Sequence, residues 1–449
     1  MRMLGKIHFV LTAILVVGGT AALSAQGQEV LTLDDAVARA LAHNYSVQKA
    51  MLNPKKAGDE IAALRTQRLP QFRVSALAGQ LLNRPTITFS QGVLGNLPNN
   101  QPLPAQTAHI PAPERPGAIG FAQINLPLSQ QYRIGLDLQK LEVAKMIRQE
   151  ESRQTKADVV AAVHAAYYKL LRTELGMATS ERTLQTYKEM ERVTIRYASE
   201  QTVLRSELLT VQAQRARAEY DATVFRDQFI ALKEQMNSLL GRPIEVEFTL
   251  RSPEDPEQAS LDLVALRERA LAVSPAVKQA ELRVQEAHIG RRIKKSEYIP
   301  DISLNAGYLA APGLPNLLPQ RIAAVGFVID WQPFDWGRKR HESDELARFE
   351  TEAELSLREA KDQVRIAVGT QVRRLAEARQ LLAAARINQE SAQEEVRIME
   401  VRYSQSATLL KNVIESQAGA SRASEQTMRA LEEWWVAQTD LKKILGETQ

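Results

Sequence analysis

The chain has 449 residues, 44% of them hydrophobic but only 5% aromatic, with 57 basic against 53 acidic side chains. A net charge of +4 over that length, with no compact basic run, excludes the electrostatic footprint of a nucleic-acid binder. There are no cysteines, so there is no disulfide frame and no lipid-modified cysteine.

Arg2 and Lys6 precede a short apolar run, residues 8–17, and then the small residues Ala21, Ala22, Ser24 and Ala25. This is the pattern of a secretory signal peptide over residues 1–25. Beyond it no segment approaches the twenty apolar residues of a spanning helix. If the exported chain crosses a membrane, it must do so as β-strands.

Thr32-Leu33-Asp34-Asp35 supplies a hydroxyl N-cap with acids in the first turn, opening an Ala- and Leu-rich helix that runs to about Leu69. After Pro70 an alternating stretch predicts a strand over about 71–80. Residues 83–117, dense in Pro, Asn, Gln and Gly, read as an irregular loop. A second strand follows over about 118–128. A long helix then covers about 130–197, with Val159, Val163, Ala166 and Leu170 along one face. After a polar break, a return helix runs over about 204–240 and ends at Gly241.

Residues 243–260 form a proline-punctuated connector in which Ile244–Phe248 reads as an extra strand. The order then recurs: a helix near 263–298, strands at about 301–309 and 322–331, a long helix at about 337–403 and a return helix at about 409–445. Val368, Leu375 and Leu382 repeat at sevens, as a coiled-coil seam requires.

The recurrence is also visible residue by residue. A shift of about 230 carries Leu31, Leu33, Arg39, Ala40, Leu41, Val47 and Pro70 onto Leu261, Leu263, Arg269, Ala270, Leu271, Val277 and Pro300. A shift of about 206 carries Gly120, Phe121 and Arg196-Tyr197 onto Gly326, Phe327 and Arg402-Tyr403. The chain is therefore two tandem copies of one unit, 31–242 and 261–447, differing mainly by a loop. Each long helix matches the two shorter helices of its copy laid end to end, so the unit makes a wall of even height.

The third strand sets Ile302, Leu304, Ala306 and Tyr308 against Asp301, Ser303, Asn305 and Gly307; the fourth sets Ala323, Val325, Phe327 and Ile329 against Ala324, Gly326 and Asp330. One oily and one polar face over about ten residues suits a barrel wall with lipid outside and water inside. Tyr308, Trp331, Phe334 and Trp336 at the strand ends read as interfacial aromatics. Four strands cannot close a barrel, and an open edge is not tolerated in lipid, so several chains must contribute. Two would give a filled eight-stranded barrel, and three a twelve-stranded one with a passage.

With these features in place, the mature chain resembles the TolC-type outer-membrane efflux proteins. Leu31-Thr32-Leu33-Asp34-Asp35-Ala36 with Ala40-Leu41-Ala42-His43-Asn44, the segment from Trp331 to Lys339, and the two turns opened by Arg196-Tyr197 and Arg402-Tyr403 carry the likeness. The resemblance implies a mainly α fold of long helical hairpins forming an α-barrel. Four strands per chain would contribute to a trimeric transmembrane β-barrel. It implies a homotrimer in the outer membrane, with its helices in the periplasm, docked to a periplasmic adaptor and an inner-membrane pump. Such a protein is the passive outer channel of a tripartite efflux pump or type I secretion system.

The turns are read as docking tips, Arg196, Tyr197, Thr202, Val203 and Leu204 in the first copy and Arg402, Tyr403, Thr408, Leu409 and Leu410 in the second, and local helix packing equally fits the apolar residues at 202–204 and 408–410. The family's usual turn glycine is missing from both. Its tunnel-entrance acids fall on Glu207 and Asn412, with Glu415 three residues on, and either a charged entrance or ordinary solvated acids fits that pattern. The alternative class is a periplasmic coiled-coil scaffold or adaptor without a barrel. The six histidines, His8, His43, His109, His164, His288 and His341, show no metal-ligand spacing, and no Gly-rich phosphate loop occurs. The sequence therefore asks for no cofactor and does not read as an enzyme.

Overall fold

A computed structural model describes residues 29–79, 86–111, 117–200, 203–251, 262–311, 320–405 and 407–446. The expected leader over 1–25, the second half of the connector (252–260) and Thr202 lie outside the described residues. The elements are β1 (Glu29–Leu31), α1 (Leu33–His43), α2 (Tyr45–Thr66), β2 (Gln71–Gly79), β3 (Thr86–Phe89), β4 (Ala108–Pro111) and β5 (Gly117–Pro127). They continue as α3 (Gln130–Ser199), α4 (Arg205–Leu239), β6 (Phe248–Leu250), α5 (Leu263–Val273), α6 (Pro275–Ser296) and β7 (Asp301–Ala310). The chain closes with β8 (Arg321–Asp330), α7 (Arg338–Ser404) and α8 (Leu410–Ile444).

The two long helices have 70 and 67 residues, and their return helices 35 each. At 1.5 Å per residue the long ones reach about 100 Å. Near the sheet the helices pack side by side in the order α2–α3–α6–α7; away from it the order is α4–α3–α8–α7. Both long helices thus run through two tiers, and α7 forms one margin of the wall while α2 and α4 form the other. No helix among the described residues is long and apolar enough to cross a membrane.

Three sequence expectations need correction. Each short helix read as continuous is two, broken at Asn44 and at Ser274. Asn44 leaves the helical region, its Oδ1 accepts from the Ser46 and Val47 amides at 2.8 and 3.3 Å, and its amide donates to the Leu239 carbonyl at 2.9 Å. Ser274 caps in the same way, with Pro275 preset as the first helical residue. The connector strand lies at Phe248–Leu250, because the Asn237 amide holds the Ile244 and Val246 carbonyls at 2.8 and 2.9 Å and forces a turn there. Within the supposed irregular loop, β3 and β4 pair as an antiparallel hairpin whose β-branched and aromatic run Thr86-Ile87-Thr88-Phe89 suits a strand.

The tiers meet at the main core. β1 and β6 pair in parallel there, and Leu31, Phe248, Tyr167, Val163, Leu170 and Met236 are wholly buried. The Tyr167 hydroxyl donates to the Arg251 carbonyl at 2.6 Å and accepts from the Arg251 amide at 3.2 Å, tying α3 to the β-pair. Burial pushes this phenol up to about 12. Tyr168 stacks on Trp435 of α8 at 5.0 Å, so the second copy closes over the first.

Candidate functional site

The chain places its candidate functional residues at two extremes, the sheet and the far helical tips. The sheet has the order β2-β5-β7-β8, antiparallel throughout. Its register aligns Phe72, Ile124, Ala306 and Val325 in one row, and Val74, Ala122, Tyr308 and Ala323 in the next. Since side chains alternate, these rows define one face, which also carries Leu304, Phe327, Ile302 and Ile329. The other face carries Arg73, Gln123, Asn125, Ser303, Asn305, Asp301 and Asp330 in its helix-proximal part, with Val328 among them and Leu77, Ile119, Phe121, Leu309 and Ile322 farther out, while Arg321 stands at the far margin of the oily face. The oily face stands open on the outer strands: Val74 is 81% exposed and Val325 75%. A soluble sheet with such a face would bury it against helices. Both edges, β2 and β8, are unpaired among the described residues.

The strands β7 and β8 have 10 residues each. That length spans about 33 Å along the strand and, at a tilt near 40°, about the 25 Å height of an outer-membrane apolar band. The aromatics expected at the membrane interfaces separate into two groups. Trp331, Phe334 and Trp336 sit at the helix-proximal end, the last two in edge contact at 4.8 Å. Tyr308, opposite Ala323, lies about 26 Å farther along the strand. Two aromatic levels at that spacing match the two girdles of a membrane barrel.

The sheet is fixed to the helices at its base. Ser129 Oγ donates to the Pro300 carbonyl and accepts from the Ile302 amide, both at 2.7 Å, and Arg133 pairs with Asp301 at 2.8 Å. Asp335 accepts from the Gly337 and Lys339 amides at 3.1 and 3.0 Å. The Lys339 amide bond, with that of Gly337, holds this carboxyl below its ordinary range. These bonds shape the left-handed turn at Trp336 and Gly337 that launches α7. Sequence reading missed Ser129, Arg133 and Asp335. The one available signal was the acid and hydroxyl flanking strand-ending prolines.

At the other extreme, α4 and α8 each begin on an exposed leucine. Leu204 and Leu409 occupy the N-cap positions, 69% and 67% exposed, and neither caps its helix. Ser, Thr, Asp or Asn there would be worth roughly 1 kcal/mol, so local stability does not explain either leucine. Val203 and Thr408 are half-buried, and the Asn412 amide donates to the Thr408 hydroxyl at 2.9 Å. Leu410 is not an exposed tip residue as expected. It is 6% exposed because it faces inward with Val413, lining a groove of about 540 Å³ with Tyr197, Tyr403 and Met190.

The acids expected at the entrance have different surroundings. Glu207 is half-buried near Tyr403, whose phenol is pushed up by burial and then by the charge of Glu207 and the neighbouring Tyr197. Glu415 is exposed and paired with Lys411 at 3.5 Å, so its charge is partly offset within its own helix. Arg196 and Arg402 are exposed beside the turns.

Compared by sequence, the chain matches no family model and no curated protein. Compared by structure, it is similar to the CmeC outer membrane channel of Campylobacter jejuni, with 11% identity, 98% of this chain and 94% of that one covered, and a TM-score of 0.75. The fold is that of an outer-membrane channel. It is shared with a membrane protein of Pseudomonas aeruginosa (16% identity, 92% and 93% covered, TM-score 0.74). The open MtrE outer membrane channel of Neisseria gonorrhoeae also shares it (17% identity, 92% and 88% covered, TM-score 0.69). Near-complete coverage of both partners in each comparison extends the likeness over the sheet, both hairpins and the junction.

Proposed function

We propose that three copies of this chain close into a twelve-stranded β-barrel in the outer membrane and a helical tunnel beneath it, forming a passive conduit from periplasm to exterior. The observation that carries the reading is the sheet: an oily face exposed on its outer strands, an opposite face that holds most of the sheet's polar side chains, and two edges unpaired among the described residues. Both edges are untenable in lipid until neighbouring copies pair with them. The wall supplies matching margins, since β2 and α2 end it on one side and β8 and α7 on the other. A margin of one kind meets its complement, which closes a ring rather than a two-fold dimer.

In this arrangement the exposed Leu204 and Leu409 dock a periplasmic adaptor coupled to an inner-membrane pump, and Glu207 contributes charge at the tunnel mouth. The outer membrane of a Gram-negative-type bacterium is then the location, with the helices in the periplasm. The scaffold alternative gives the oily face no solvent other than water, which counts against it. Purification in mild detergent with mass determination, followed by planar-bilayer recording, tests the reading. A trimer that conducts in discrete steps supports it. A soluble periplasmic monomer without conductance overturns it in favour of the scaffold.

A further inference from the structure

The two free margins of the sheet carry opposite charges on the same face. Among the described residues the polar face holds three charged side chains: Arg73 on β2, Asp301 on β7 and Asp330 on β8. Asp301 is engaged by Arg133 at 2.8 Å. Arg73 and Asp330 are both exposed, and neither side chain has a hydrogen bond or ion pair among the described residues. They cannot meet within one chain. Two strands separate β2 from β8, a distance of about 14 Å.

We propose that Arg73 of one copy pairs with Asp330 of the next across the seam at the base of the barrel. This rests on the ring closure above and names its contact. Both residues lie near the helix-proximal end of the sheet: Asp330 is the last residue of β8 and Arg73 the third of β2. β2 leaves that end and β8 returns to it, so the two join antiparallel, as the other three pairings do.

The stagger fixes the alignment further. Gln71, the first residue of β2, faces Asn125, two short of the end of β5, and Pro127 faces Ser303, two into β7; Asp301 then faces Asp330 on the level. A row followed from β2 to β8 therefore climbs by two residues at each of the first two pairings. A barrel tilt of about 35–45° requires the climb to keep one sense at the seam. Face parity allows only even steps, since a one-residue slip would set polar side chains against oily ones. A level step places Asp330 opposite Gln71 and diagonal to Arg73; a step of two places it directly opposite Arg73. In both, the long guanidinium side chain reaches the carboxylate. The partner that fits this edge is a second copy of the same chain.

The native chain has no cysteine, so engineered thiols give a clean readout. The Arg73→Cys/Asp330→Cys double variant, in outer membranes, is treated with a bismaleimide spanning about 8 Å, the reach of a diagonal pair. Covalent dimers and trimers are expected on denaturing gels, with only monomer from either single variant. Arg73→Asp alone and Asp330→Arg alone should each lower the heat-modifiable trimer several-fold, and the two combined should restore it. A wild-type trimer whose double-cysteine form yields no covalent oligomer, or whose single reversals are harmless, overturns the seam pair and leaves the channel reading standing. A wild type that is itself a soluble monomer removes both.

Discussion

The junction core and the sheet obey opposite rules. At the junction the chain satisfies itself: Leu31, Tyr167 and Phe248 are wholly buried, and the Tyr167 hydroxyl takes up both backbone polar groups of Arg251. In the sheet the chain satisfies only its internal ladders and leaves two edges and an oily face open. The difference separates what one chain folds alone from what it can hold only with neighbours and lipid. Substitutions at the junction should destabilise each protomer, whereas substitutions on the sheet's oily face should spare the protomer and block assembly in the membrane.

The largest expected effect is at the junction. Tyr167→Ala empties a wholly buried site and strands two polar backbone groups, costing about 4 kcal/mol in denaturant unfolding followed by helical circular dichroism. Tyr167→Phe keeps the ring and should cost only about 1–2 kcal/mol. Next comes the sheet: Val325→Arg places a charge at mid-height on the oily face, about 2–4 kcal/mol against insertion. Outer-membrane trimer should fall sharply while the helical signal of the chain persists. If both variants damage the isolated protomer alike, the two regions are not distinct in kind.

A smaller effect sharpens the junction side. Gly241 has φ +67°, and a Cβ there would approach the His43 carbonyl oxygen. Gly241→Ala should cost roughly 2 kcal/mol from the left-handed backbone alone. Its counterpart Gly446, φ +71°, would meet the Val273 side chain at 3.1 Å, a looser approach than that of Gly241 to backbone, and should cost less. Midpoint shifts in the same unfolding experiment compare the two.

Acidification acts on the helical wall between these regions. The Glu350 carboxyl is held below its ordinary 4.5 by hydrogen bonds from His288 and Arg291. A depressed carboxyl stabilises the fold above its unfolded value and ceases to as pH falls through the folded one. The α6–α7 contact should therefore loosen only below about pH 4, a window that hydrogen exchange resolves. Glu350→Gln should flatten that response. The smallest effect belongs to the tips. Glu207→Gln should reduce cation preference in bilayer recordings, and Glu415→Gln less so because Lys411 already offsets it.

Much of this was legible in the sequence because the helices are long and their proline and glycine stops strong. The alternation of β7 and β8 survived as well: Ile302, Leu304, Ala306 and Tyr308 do share a face with Ala323, Val325, Phe327 and Ile329. The repeat misled in one place. It matched Gly120-Phe121 to Gly326-Phe327, yet Phe121 shares the polar face with Gln123 while Phe327 lies on the oily one. Two-residue periodicity makes a one-residue misalignment invert a strand, and two shared residues cannot detect it. The helix breaks at Asn44 and Ser274 were hidden because both flanking segments are good helix formers. Only the long-range bond from Asn44 to Leu239 shows why the chain must turn there. The edge charges Arg73 and Asp330 gain meaning only once strand order places them at opposite margins.

The most direct measurement is the water accessibility of β8 in liposomes holding the reconstituted protein. Single cysteines at positions 324 to 329, in an otherwise cysteine-free chain, are challenged with a bulky membrane-impermeant maleimide. A barrel wall predicts that 324, 326 and 328 label while 325, 327 and 329 stay protected. Equal labelling of the odd and even positions would mean that no lipid covers that face, and would contradict the account.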